Sequence, residues 1–211
     1  MTSPWQKPFR GSQLNPGHPL ARSMVGCYVM NEGTGGKITN LVNRVSSSAM
    51  SSGILWDNNG LYFDGTDEHI EIKTSQFENI FHKGATGAFT IVCRYAPSQV
   101  SSPLATKQYT LLGSEQVAGD RVQFHHRNNW GVNEVKFEVA DGWSVTSVTT
   151  GTITSNLTEG EYSDIVLSWD GSNAYIYIDG IDLTSSGSLV AANFPDGSQN
   201  YFRIGDQENL T

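Results

Sequence analysis

Cysteine is scarce: Cys27 and Cys93 are the only two in 211 residues. Each lies inside a strand-like stretch and reads as a buried free thiol, the alternative being one disulfide between them, which needs Cα atoms within about 7 Å. Basic charge is also short, with 13 Lys and Arg against 21 Asp and Glu, a net charge of -8 and no basic run. A protein that binds nucleic acid through its phosphates is therefore not expected. No apolar run of about 18 residues occurs, so no membrane insertion is expected. The first ten residues, Met-Thr-Ser-Pro-Trp-Gln-Lys-Pro-Phe-Arg, lack the apolar core of an export signal. Helical periodicity and internal repeats are missing too.

What is present is two-residue alternation broken by turn residues. The clearest stretch is residues 162–183. Ile165, Leu167 and Trp169 fall on one side of a strand, Val166 and Ser168 on the other. Asp170-Gly171-Ser172-Asn173 is a turn cluster, after which Ala174, Ile176 and Ile178 oppose Tyr175 and Tyr177. Asp179-Gly180 then stands between apolar runs, the pattern of a tight hairpin whose central residues need positive φ. Three antiparallel strands follow from this stretch alone.

The rest of the chain reads the same way, with 22 glycines and only 16% charged residues. Residues 24–30 form an apolar strand and 61–72 a strand, turn and strand. Residues 88–95 alternate as a central strand, 122–127 and 132–139 as a hairpin pair, and 144–154 and 201–205 as further strands. About eleven to thirteen strands are expected, and Trp56 and Trp169 are assigned to the core. Residues 1–21 differ. Pro4, Pro8, Pro16 and Pro19 block helix and central-strand pairing, so an extended arm is expected, carrying Trp5, Phe9 and Leu14 to a docking surface on its own domain or a neighbour. The chain thus divides into an arm, 1–21, and one domain, 22–211.

Five elements carry a resemblance. They are Val25-Gly26-Cys27-Tyr28-Val29-Met30-Asn31-Glu32-Gly33; Leu61-Tyr62-Phe63-Asp64-Gly65-Thr66-Asp67-Glu68-His69-Ile70; Phe89-Thr90-Ile91; Leu167-Ser168-Trp169-Asp170-Gly171 with Tyr177-Ile178-Asp179-Gly180; and Phe202-Arg203-Ile204-Gly205. In that order they resemble the laminin-G-like jelly roll of the concanavalin A-like lectin/glucanase superfamily. The resemblance implies an all-β jelly-roll sandwich of two antiparallel sheets. It also implies calcium as a possible ion, with Asp64, Asp67 and Asp206 as candidate ligands. The arm, with Trp5, Lys7, Pro8 and the run Leu14-Asn15-Pro16-Gly17-His18-Pro19-Leu20-Ala21, is similar to the start of such proteins encoded by tailed phages. That similarity implies a virion component assembled in the host bacterial cytoplasm. Family members usually continue past the Ile-Gly element into a final strand, whereas this chain ends at Thr211. Either that strand belongs to a C-terminal portion beyond this sequence, or the arm or a neighbouring subunit completes the open sheet edge, which would make other virion proteins or a second copy the partners.

Catalytic signatures are thin. The Glu-x-Asp-x-x-Glu strand of the family's glucanases is absent. Glu134 and Glu138 share a strand face, but at roughly 3.3 Å per residue they stand about 13 Å apart, with Lys136 between them as part of a solvated charged face. A retaining glycosidase pair needs about 5–5.5 Å and an inverting pair about 6.5–9.5 Å. His125 and His126 are adjacent on a strand and face opposite ways, and His69 with Glu71 supplies only two ligands of a metal site. No Gly-x-Ser-x-Gly occurs. Sugar binding is the better fit. Trp130 beside Asn128 and Asn129, and Trp143 beside Asp141, offer aromatic faces next to hydrogen-bonding groups, as do Tyr175 and Tyr177 on one sheet face. The same tryptophans equally suit an end of the core or an interface. The expectation is a non-enzymatic phage virion protein, decorating the capsid or mounted on the tail, with a lectin-like face toward cell-surface glycans. A free carbohydrate-binding module is the alternative, and a glycoside hydrolase relative a third.

Overall fold

The computed structural model describes residues 13–44, 49–57, 60–64, 68–72, 80–81, 87–98, 100, 107–114, 120–129, 132–142, 144–153, 155–195, 202–205 and 207–209. Among these the strands are β1 (Ala49–Met50), β2 (Leu55–Asp57), β3 (Gly60–Tyr62), β4 (Ile70–Ile72), β5 (Phe89–Tyr95), β6 (Lys107–Ser114), β7 (Arg121–Asn129), β8 (Val132–Asp141), β9 (Ser144–Thr149), β10 (Ser163–Trp169), β11 (Ala174–Ile178), β12 (Ile181–Asp182), β13 (Ser186–Ser188), β14 (Phe202–Ile204) and β15 (Gln207–Asn209). The described helical structure is two single 3₁₀ turns, Pro19–Ala21 and Ala191–Asn193. The protein is therefore all-β.

One sheet has nine strands, in the order β1-β4-β14-β6-β7-β8-β9-β13 with β15 also paired to β6. A second has four, in the order β12-β11-β10-β5, and β2 and β3 form a separate ribbon. All strand pairs in the two large sheets are antiparallel. The sheets stack because each has one apolar face. On β10, Ser163, Ile165, Leu167 and Trp169 are buried in alternation, as expected, and Ile176 and Ile178 continue that face on β11. Opposite them lie Val122 and Phe124 of β7, Val135, Phe137 and Val139 of β8, and Phe202 of β14. Aromatic rings join the layers: Phe89 to Phe137 at 5.9 Å, Phe89 to Trp169 at 5.4 Å, and Trp169 stacked on Phe194 at 4.9 Å. Each such side chain removed from water contributes about 1.5–3 kcal/mol. The hairpin after β11 turns where expected, with Asp179 at φ 49° and Gly180 at φ 80°.

Several expectations change. Residues 24–30 do not enter a ladder, and Tyr28 makes only an isolated bridge with Asn40. The Asn40 side chain replaces the missing neighbour strand: its Oδ1 accepts from the Cys27 N–H at 3.0 Å and its Nδ2 donates to the Val25 carbonyl at 3.2 Å. β5 is an edge strand, paired only to β10 among the described residues. Its alternation matched a central strand because one face is in the core either way. Trp56 is half-buried, donating its Nε1–H to the Gly35 carbonyl at 2.8 Å instead of joining the core. Glu134 and Glu138 are not solvated: they are 5% and 6% exposed, covered by the cations that pair with them. Of the N-terminal arm, residues 13–21 are described, and they wind through a turn, with the His18 N–H on the Asn15 carbonyl, into the 3₁₀ turn. Leu14 is half-exposed there, while Trp5 and Phe9 lie outside the described residues.

Candidate functional site

Two sheet faces point away from the core, and they differ in chemistry. On the four-stranded sheet the outer face is partly exposed. Register places Thr90, Ser168 and Tyr175 in one row, and Val92, Val166, Tyr177 and Asp182 in the next. Tyr175 and Tyr177 are two residues apart on one strand, so their rings stand side by side, centroids 6.4 Å apart and 35° inclined. Val92 beside them is 66% exposed. At one end the Thr90 and Ser168 hydroxyls meet at 3.4 Å, and at the other Arg94 pairs with Asp164 at 3.2 Å while lying over the Tyr162 ring. Tyrosine offers a rigid, amphipathic contact area at low entropic cost. This face can take a ring that is apolar on its flat side and hydroxylated at its rim.

The outer face of the nine-stranded sheet is polar, with buried carboxylates under partly exposed cations. Gln123, His125 and Arg127 of β7 lie beside Glu138, Lys136 and Glu134 of β8, and beside Thr110 and Gln108 of β6. Arg121 and Lys136 both bond the Glu138 carboxylate, while Arg127 and the Thr149 hydroxyl bond Glu134. Burial alone would raise the Glu138 carboxyl, but Lys136 and Arg121 outweigh it and hold the group below its ordinary range. His125 is 2% exposed, and among the described residues neither ring nitrogen has a hydrogen-bond partner. Burial, with the charges of Lys136, Arg127 and Arg121, holds its imidazole well below the usual histidine range and therefore neutral.

Its neighbour His126 points inward, as alternation requires. Its Nε2–H donates to the Asn133 Oδ1, so the neutral ring accepts at Nδ1, where the Tyr95 hydroxyl donates at 3.1 Å. Tyr109 stacks on the same ring at 5.7 Å. Burial lowers His126 and, with the nearby Tyr109, raises Tyr95 far above the ordinary phenol range. This polar knot ties β5 to β7 across the core. Sequence reasoning separated the two histidines by face but found neither the knot nor the unpartnered imidazole. Alternation tells which side a residue takes, and it says nothing of what lies over it.

Of the residues expected to bind sugar, Asn128 and Asn129 end β7 beside the β7–β8 connection, and Asp141 ends β8 at the other connection. Ten residues of β8 separate the two ends, about 30 Å at strand spacing, so the structure does not bring them together. Trp130 and Trp143 lie outside the described residues, as do Asp67 and Asp206. Asp64 is described and exposed, and its N–H donates to the Glu68 carboxylate at 2.8 Å. Among the described residues no three His, Cys, Asp or Glu converge on a metal-sized space. Asp64 alone does not make a calcium site.

No family model matches the chain, and no curated protein matches it. Solved structures do. A Trypanosoma rangeli sialidase in complex with a difluorinated nononic acid shares 15% identity at a TM-score of 0.57, over 95% of this chain and 31% of that one. A mutant of the same sialidase displaying trans-sialidase activity gives 17% identity and a TM-score of 0.55, over 87% and 27%. The enzymatically active domain of tailspike protein 2 of bacteriophage CBA120 gives 14% and 0.48, over 70% and 23%. The chain spans about a quarter to a third of the length of these solved chains. At such identities the sialidases support the sandwich fold. They also overturn one expectation: the fold occurs inside enzyme chains, so the assignment of a non-enzymatic protein does not stand. Among the described residues no helix is long and apolar enough to cross a membrane.

Proposed function

We propose that the chain is a glycan-engaging β-sandwich of a virion-associated protein of a tailed phage. The observation that carries the glycan reading is the partly exposed face bearing Tyr175 and Tyr177, with hydroxyls at one end and an Arg94–Asp164 pair at the other. A pyranose presents C–H groups on its flat side and hydroxyls at its rim, and this face matches both. The loop groups Trp130 with Asn128 and Asn129, and Trp143 with Asp141, would extend recognition at the two ends of the other sheet. The virion reading is supported by the sequence similarity of the arm. Trp5, Phe9 and Leu14 would seat it on other particle proteins or on a second copy, and the open β5 edge offers backbone groups for the same purpose.

The test is a glycan array probed with the full chain and with the Tyr175→Ala, Tyr177→Ala double variant. Binding to bacterial surface polysaccharide, reduced at least tenfold in the variant, is the expected result. Absence of binding to any glycan would sink the glycan reading. Removing residues 1–21 should release the protein from particles without altering glycan binding. Unchanged particle association would overturn the docking role of the arm, and absence of the full chain from particles would leave a free carbohydrate-binding module as the better description.

A further inference from the structure

Buried polar atoms in folded proteins find partners, and those that do not call for an explanation. His125 has two such atoms on one ring, at the centre of a face where every described neighbour is polar: Gln123 and Arg127 along its strand, Lys136 and Thr110 across from it. The two nearby carboxylates are turned to other donors and make no bond to the ring. Both oxygens of Glu138 are taken by Arg121 and Lys136, and both oxygens of Glu134 by Arg127 and the Thr149 hydroxyl. Among these side chains three cations face two carboxylates, and with the imidazole neutral one positive charge is left uncompensated. The nearest amides are weakly engaged, Gln108 donating to Gln123 at 3.5 Å, the outer limit of a hydrogen bond.

We propose that this face binds a carboxylate-bearing sugar, seated against His125 between Lys136 and Arg127. The carboxylate supplies the missing negative charge and accepts a hydrogen bond from the imidazole N–H, while the sugar ring stays at the surface beside Arg127. Entry needs the Lys136 side chain to swing from Glu138 onto the ligand. Lys136 is 15% exposed and Arg127, on the other side of the imidazole, 29%, and Glu138 keeps Arg121 when Lys136 leaves. This site lies on the opposite sheet from the tyrosine pair and does not rest on it.

The experiment is calorimetry on the full chain with a panel of uronate- and sialate-terminated oligosaccharides, each beside its methyl ester, which keeps the shape and removes the charge. Acidic members should bind at least tenfold more tightly than their esters, and Lys136→Gln should remove most of that difference. In the ¹⁵N spectrum the His125 ring nitrogens should shift on saturation. Equal binding of acid and ester, no binding across the panel, or an unshifted imidazole would each overturn the proposal. Neutral sugars that bind through Tyr175 and Tyr177 would uphold the earlier reading while this one fell.

Discussion

The neutral, buried His125 makes stability depend on pH in a defined window. Its folded pKa lies well below the 6.5 of an unfolded histidine, chiefly through burial and then through Lys136, Arg127 and Arg121. The unfolded chain therefore binds the extra proton. Stability from this group is complete above pH 6.5 and is lost as pH falls below it. Each pH unit below 6.5 over which the folded ring stays neutral while the unfolded one is protonated weakens the fold further. His126 is shifted the same way and adds to the slope. Glu138, held below the ordinary carboxylate range by its cations, loses its contribution only at lower pH and leaves the window clear. The assay is urea unfolding at pH 7.5 and 5.0, with the m-value checked for constancy. Wild type should lose stability between the two, and His125→Gln should shrink that loss. An identical loss in the variant would refute the reasoning.

Phe137→Ala should destabilise by about 3–5 kcal/mol, since Phe137 is fully buried and touches Phe81, Phe89 and Phe124; chemical denaturation reads this directly. Arg127→Met should cost about 3–5 kcal/mol by leaving the Glu134 carboxylate without its cation, and adding Glu134→Gln should recover part of the loss, which a double-mutant cycle measures. The Cys93 thiol is pushed up to about 12 by burial, so at pH 8 only about one in ten thousand is thiolate. Alkylation of Cys93 in the folded protein should be far slower than after unfolding, as mass spectrometry would show.

How legible the fold was depended on whether the local pattern had one structural meaning. Residues 163–182 did: alternation with Asp179-Gly180 between apolar runs has one solution, and three paired strands are found there. Residues 24–30 had two. An apolar run can pair with a strand or be held by a side chain, and Asn40 holds it, thirteen residues beyond Cys27. β5 showed that alternation reports burial of a face and is silent on the number of neighbours. The candidate sites divide in the same way. The shared face of Tyr175 and Tyr177 followed from spacing. The burial of Glu134, His125 and Glu138 on the opposite face did not, because charged residues on a strand ordinarily face water, and only the three-dimensional pairing with Arg121, Arg127 and Thr149 keeps them covered.

β8 carries apolar side chains toward the core and charged ones outward, where Glu134 and Glu138 are nonetheless buried among their cations. Such a strand has no tolerant direction. Inserting or deleting one residue near its start would trade Val135, Phe137 and Val139 for Glu134, Lys136 and Glu138 at the core. Every carboxylate would lose its cation in the same step. Length variation in this protein should therefore collect in the connections before and after β8, and the ten positions of the strand itself should act as a fixed ruler against which the other strands are aligned.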